Sequence, residues 1–297
     1  MNITLRQLKV FVSITQEGSI TAAAEKLFLT KSAISMALAE LERQLGRKMF
    51  DRANKQLILN EQGRRLLPLA DELLDRAEAI SQIFEGEDAT NGNLRVGSSY
   101  TIGNHLLPTL LGDFRKNTGY LHQSLSLSNS TKTCRMLLDF ELDLGFIEAK
   151  ISDKRLKVEP WMTDEMVVIC APSQCPNADK PLALEALEGN NWVLREPGSG
   201  TREYFLTEVG SKLNDWTEAF ELNSTTAIVN AVIAGLGLAV LSRHSVSAAV
   251  QDGRLSILPL QHKMTRQFSL VYNTEKYQSP VFKSFKEYAH NWALGRE

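Results

Sequence analysis

Within the first 46 residues the apolar positions fall into three short helical periods, each bounded by a residue that stops or starts a helix, and this leaves few folds open. Leu5, Leu8, Phe11, Val12 and Thr15 share one helical face and stop at Glu17-Gly18, where glycine suits a left-handed helix end. Ser19 then caps TAAAEKLF, whose small side chains let a second helix approach closely. The third segment, TKSAISMALAELERQLG, opens with Thr30 in the N-cap place and closes at Gly46. Its inward stripe is Ile34, Leu38, Leu41 and Leu45, so Lys31, Ser32, Ser35 and Met36 fall on the outward side near its start. Two small helices joined by a short turn form a helix-turn-helix, which offers the start of its second helix to the DNA major groove.

Next, RKMFDRANKQLILNEQG reads as two short strands around the polar turn Ala53-Asn54-Lys55, a wing. Arg47, Lys48, Arg52 and Lys55 are placed to neutralise phosphates, which gives salt-sensitive affinity, while base reading falls to Thr30, Lys31, Ser32, Ser35 and Met36. A three-helix core with a merely solvated surface is the alternative on periodicity alone. Charge asymmetry speaks for the first reading: residues 1–65 hold eleven Lys/Arg against six Asp/Glu, an excess of five, and the remainder carries −7 within a total of −2.

From Gln62 to Phe84 the positions Leu66, Ala70, Leu73, Ala77, Ile80 and Phe84 step by four and three, a heptad seam on a helix of about 35 Å. Pairing of two copies along this seam and burial against the chain's own core both satisfy that spacing. EGEDATNGN, residues 85–93, lacks an apolar period and reads as a hinge.

Beyond it, β-rich runs (LRVGS, SLSLS, DLGFIE, MVVIC, NWVL, FELN, GLAVL, FSLVY) alternate with helical stretches, which predicts an α/β domain with largely parallel sheets. The expected helices span 103–117, 133–140, 201–213, 225–234, 243–251 and 280–294. Ligands of such sheets bind beyond the strand ends, where helix N-termini offer free N–H groups. Four strand-to-helix junctions are rich in hydroxyls and amides: Gly97 to Thr101, Ser128 to Thr131, Arg195 to Arg202, and Asn223 to Thr226. Each could be an ordinary cap, but together they converge on one cleft. In the third, two glycines permit close approach, Thr201 is placed to cap the helix, and Arg202 could fork onto a carboxylate or oxyanion.

The string AAAEKLFLTKSAISMALAELERQLGRKMFDR, followed by LNEQG, resembles the signature of LysR-type transcriptional regulators. The matching elements are Ala22 to Ala24, Thr30 to Ser35, Leu41 to Gly46, Met49 to Arg52, and Leu59 to Gly63. The chain departs from the pattern at Met36 and Ala37, where many members carry Arg or Gln; neither side chain hydrogen-bonds a base, so direct readout is thinner. LREPGSGTRE and AGLGLAVLSR also look like family elements.

The resemblance implies a winged helix-turn-helix DNA-binding domain of the all-α type (residues 1–60), a linker dimerisation helix (61–84), the hinge (85–93) and an effector-binding domain (94–297). The last resembles a periplasmic solute-binding protein, with lobe I at 94–160 and 266–297, lobe II at 161–265, and two crossover strands. Carried over by position, the expected effector contacts are Ser98, Ser99, Thr101, Asn129, Ser130, Glu148, Ser199, Thr201, Arg202 and Thr226. Hydroxyl-rich helix starts with an arginine favour a small anion or carboxylate, whereas Glu148, if it lines the cleft rather than solvent, admits an amino-acid-like ligand. The implied partners are double-stranded DNA, a small-molecule effector, and further copies of the chain as a homodimer or homotetramer.

Rival classes find little footing. PGSGT lacks the spacing of a nucleophile elbow, and His105, His122, His244, His262 and His290 are scattered, so we expect neither an enzyme nor a cofactor. Cys134, Cys170 and Cys175 form no CxxC pair and no even disulfide set, which fits a cytoplasmic chain. A charged N-terminus without a long apolar run argues against export and membrane insertion, and with them against a pure solute-binding protein.

Overall fold

The computed structural model describes residues 2–53, 56–83, 93–120, 122–175 and 181–296. The chain opens with helices α1 (Leu5–Glu17), α2 (Ile20–Lys26) and α3 (Lys31–Leu45), the wing strands β1 (Phe50–Ala53) and β2 (Gln56–Leu59), and the long helix α4 (Glu61–Ile83). Their ends follow from capping chemistry. Thr4, Ser19 and Thr30 each accept a backbone N–H in the first turn, and Gly18 and Gly46 terminate α1 and α3 at φ +68° and +65°. Phe11, Ile14, Ile34 and Leu41 are fully buried, and Phe50 brings its ring within 5.6 Å of Phe11, which ties the wing to the bundle.

The second half begins with β3 (Leu94–Ser99), the helices α5 (Tyr100–His105) and α6 (Leu107–Thr118), and β4 (Gln123–Ser128). Then come α7 (Ser130–Leu138), β5 (Leu144–Ile147) and the long β6 (Leu156–Cys170). Lobe II adds β7 (Asn191–Arg195), α8 (Gly200–Tyr204), β8 (Thr217–Leu222), α9 (Thr225–Ile233), β9 (Ala239–Ser242), α10 (Arg243–Gln251) and β10 (Ser256–Ile257). The return strand β11 (Met264–Asn273) and α11 (Pro280–Leu294) complete lobe I.

Sheet topology corrects the expectation of largely parallel strands. β3 pairs parallel with β4 and β5, and β7 parallel with β8, but β6 and β11 run antiparallel along their length. One strand leaves lobe I and the other returns to it, so they must oppose each other. Their register slips where Phe268 faces Met162 and Ser269 faces Pro160; proline has no N–H for the ladder, and Trp161 is left as the extra residue.

Two helix expectations change as well. The helix expected over 103–117 is two helices broken at Leu106, because Pro108 opens the second. The one expected over 201–213 is α8, a π-helical turn at Phe205–Val209 and a short 3₁₀ turn at Gly210–Lys212. The hinge at 85–93 lies outside the described residues except for Asn93, and Phe84 and Lys55 also fall outside them.

On α4 the expected seam divides. Ala70 is fully buried with Leu67 against the N-terminal core, whereas Leu69, Leu73 and Ile80 are exposed. Farther round the same helix, Asp71 and Asp75 meet Arg95, Asp143 and Lys276 of lobe I. The Asp143 carboxylate lies 2.8 Å from Arg95 and 3.2 Å from Lys276, and Lys276 pairs directly with Asp71. Phe140, held at φ +59°, joins the apolar cluster of the N-terminal helices, and the Lys276 ammonium lies 5.4 Å above its ring. Lobe I is thus clamped onto the linker helix of its own chain.

Burial pushes the Asp75 carboxyl up to about 6, with Asp71 adding to the rise and Lys276 offsetting part of it. Burial acts on Asp143 too, but there Arg95 and Lys276 prevail and hold it below the usual carboxylate range. A raised acid contributes stability below its unfolded pKa and loses it as pH rises through the folded one. Asp75→Asn is therefore expected to raise stability by about 1–2 kcal/mol at pH 8 and to leave it unchanged near pH 4. Asp143→Asn is expected to do the reverse, destabilising at pH 8. Thermal unfolding at the two pH values measures both; a lower melting temperature for Asp75→Asn at pH 8 would contradict this account.

Candidate functional site

Two regions gather the residues singled out from the sequence. The first is the exposed edge of α3 and the wing. Thr30, Lys31, Ser32, Ser35 and Met36 are all exposed, as are Arg47, Lys48 and Arg52, while the opposite stripe Ile34, Leu38 and Leu41 is buried. The helix start therefore projects outward with a basic margin. Ser32 Oγ lies 3.0 Å from Thr30 Oγ1, which ties the first hydroxyl of that edge to the cap.

The second region is the interface between the lobes. Ser98, Ser99, Thr101, Ser130, Ser199 and Thr201 are all buried there. At its centre stands Arg266 of β11, which sequence reading did not single out. Its Nε donates to Asp164 at 2.8 Å, Nη1 to Thr201 Oγ1 at 3.0 Å and Nη2 to Thr101 Oγ1 at 3.4 Å, and Glu148 lies 3.7 Å away. Glu148 accepts from Ser99 Oγ, and Asp164 accepts from Ser242 Oγ at 2.7 Å. Its side chain is 3% exposed, so Glu148 belongs to the cleft rather than to solvent. Both carboxylates and the guanidinium are desolvated, an arrangement that holds only while all three charges stay together.

The lobes also touch directly at the rim. Asn129 Nδ2 donates to Glu196 at 3.3 Å, and Thr131 N–H to the Gly198 carbonyl at 3.2 Å. A Cβ on Gly198, already at φ +85°, would sit 3.0 Å from Thr131, and one on Gly200 would sit 2.6 Å from Glu148 Cγ. Glycine at these two places is what lets the third junction close on lobe I. A cavity of about 760 Å³ opens alongside, bordered by Thr131, Glu148, Tyr204, Arg266 and Gln267. Ser130 Oγ, at the first turn of α7, is fully buried and has no hydrogen-bond partner among the described residues.

Three expectations are corrected by this geometry. Arg202 points away from the cleft: it donates to the Arg195 carbonyl at 2.8 Å and forks onto Glu218 at 2.8 and 2.9 Å, so it is already neutralised. Thr201 is not the cap of α8; Ser199 holds that place, and the Thr201 hydroxyl instead accepts from Arg266. Thr226 is exposed, and it is Thr225 that accepts from buried Arg195 at 3.3 Å.

The model for the bacterial regulatory helix-turn-helix protein, lysR family, matches residues 5–64, and that for the LysR substrate binding domain matches residues 87–293. The chain belongs to the LysR family. This is a family of transcriptional regulators, not enzymes, with a DNA-binding half and an effector-binding half. A relative of the LysR chain, the uncharacterized HTH-type transcriptional regulator YeiE of Escherichia coli, is 42% identical over 290 residues, 97% of each protein. A full-length OxyR variant from Pseudomonas aeruginosa, 22% identical, superposes with a TM-score of 0.72 over 97% of this chain and 94% of its own. The regulatory domain of Synechocystis CcmR, solved in complex with 2-PG, is 24% identical and gives 0.64 over 68% of this chain and 98% of its own. The LysR architecture therefore spans the whole chain. No helix among its described residues is long and apolar enough to cross a membrane.

Proposed function

We propose that this LysR-type regulator binds specific double-stranded DNA as a homodimer or homotetramer in the cytoplasm, and that a small anion or carboxylate in the inter-lobe cleft modulates that binding. The exposed edge of α3 enters the major groove, and Arg47, Lys48, Arg52 and Lys55 neutralise phosphates. Exposed Leu69, Leu73 and Ile80 on α4 are the pairing surface of the dimer, which sets two recognition helices about one DNA turn apart.

The observation that carries the effector reading is the unpartnered Ser130 hydroxyl at the start of α7, next in sequence to Thr131, which borders the same cavity as the buried Arg266. A ligand carboxylate or oxyanion accepts from the Ser130 hydroxyl, and Glu148 favours one that also carries an amine or another donor. CcmR, whose regulatory domain was solved in complex with 2-PG, shares the fold of this domain, which supports a small-molecule ligand here. Effector binding shifts the lobe equilibrium and with it the spacing of the DNA-binding pairs.

DNA binding is tested by anisotropy titration of genomic fragments at several salt concentrations. Lys48→Ala and Arg52→Ala are each expected to weaken all duplexes alike and to lower the slope of log affinity against log salt by about 1. Absence of any retained DNA at low salt would refute the regulator reading. A thermal-shift panel of small oxyanions, carboxylates and amino acids tests the cleft, with Ser130→Ala expected to lose the response. A panel that moves the melting temperature equally in both forms would remove Ser130 from the site.

A further inference from the structure

We propose that this chain reads thymine methyl groups, with Met36 as the reader in the major groove and Phe28 as its flanking apolar contact. The inference rests on the DNA-binding reading above. Ser32, Ser35, Met36 and Ala39 occupy positions three and four apart on α3, and all four are exposed on the side opposite the buried stripe. The helix face that meets base edges thus holds two hydroxyls, a thioether and a methyl. Arg, Asn and Gln, the side chains that fork onto guanine or adenine, are absent from these four positions, and Arg43 at the far end of the helix is paired with Glu40. Lys31 is the strong donor at its N-terminal edge.

Against that polar deficit stand two large apolar groups that the fold leaves in water. Met36 is 72% exposed and Phe28 is 96% exposed. Phe28 occupies the turn before α3 at φ +53°, a left-handed conformation that costs a non-glycine residue about 1 kcal/mol. The turn is held by hydrogen bonds from Phe28 N–H to Glu25 and from Leu29 N–H to Ala24 at 3.2 and 2.9 Å, so the ring is presented rather than folded away. Lys31 lies between them in sequence, and the same domain exposes Arg47, Lys48 and Arg52, which selects a polyanion as the occupant. The apolar feature of a major groove is the C5 methyl of thymine, and an unbranched polarisable methionine adapts its shape to it.

The test uses the full chain and a duplex selected from a random pool, measured by anisotropy at fixed salt. Replacing single thymines by deoxyuridine removes only the methyl. At one position per half-site this is expected to weaken binding about fourfold, the factor one buried methyl contributes. Cytosine there should regain the loss when supplied as 5-methylcytosine. Met36→Ala is expected to abolish the discrimination between thymine and deoxyuridine while folding normally, since the side chain is exposed. Phe28→Asn, which suits the left-handed turn, should lower affinity while keeping or raising the melting temperature. Indifference of every thymine to deoxyuridine, or discrimination that persists in Met36→Ala, overturns the proposal while leaving DNA binding intact. Failure to enrich any sequence overturns the DNA-binding reading itself.

Discussion

Lys276→Met is expected to destabilise the folded chain by about 3–5 kcal/mol, because it strands buried carboxylates rather than merely deleting a contact. The Lys276 side chain is 3% exposed, pairs with Asp71, and lies 3.2 Å from Asp143 and 3.8 Å from Asp75. Without it, Arg95 alone faces all three acids. Methionine preserves the stem and the packing over Phe140, so the loss reports charge. Urea denaturation measures it, and adding Asp71→Asn to the variant is expected to recover part of the deficit, since the two positions are directly coupled. A stability within 1 kcal/mol of the parent chain would show that the clamp contributes little. Because Asp71 lies on α4 and Lys276 on lobe I, limited proteolysis should also separate the two halves sooner in the variant.

Arg266→Met is expected to have an effect of the same size in the other half of the molecule. The guanidinium is 4% exposed and is the cation shared by Asp164 and Glu148, which are 0% and 3% exposed. Its loss leaves two buried acids without a counter-charge, again about 3–5 kcal/mol. The double variant with Asp164→Asn should regain part of this. Retention of DNA binding at low salt, together with loss of every thermal-shift response to small acids, is the pattern expected if Arg266 anchors the effector. A response of parental size in the folded double variant would exclude that role.

The DNA-binding half could be read closely from the sequence because its signals are local. Gly18, Ser19, Thr30 and Gly46 act on their own turns, and the helix ends they imply are the ones observed. The same holds for α10 and α11, whose bounds follow from Ser242 and Ser279 as caps. Long-range features were harder. The polar stretch before MVVIC looks like loop until it pairs with β11, which turns it into a fifteen-residue crossover strand. Arg202 seemed the better anion ligand because it neighbours a glycine-rich junction, yet a position beside a loop does not fix which side of a helix faces the cleft.

The sequence does carry a signal for Arg266. In MTRQFSLVYN the arginine shares strand parity with Phe268 and Leu270, both fully buried, and a charge on the inward side of a buried strand demands a partner. Asp164 stands in the same relation to Met162, Met166 and Val168 on β6. Strand parity on both crossover strands thus points the two residues at each other. No comparable sign marks Lys276, whose partners lie on other elements far along the chain.

The clamp around Asp71 decides which part of the molecule is free to swing. With lobe I bolted to the helix that carries the reading head, those two parts are expected to turn as one body. Lobe II, attached through β6 and β11, then becomes the lever, and the travel produced by a ligand should be greatest at its outer edge and smallest beside the linker.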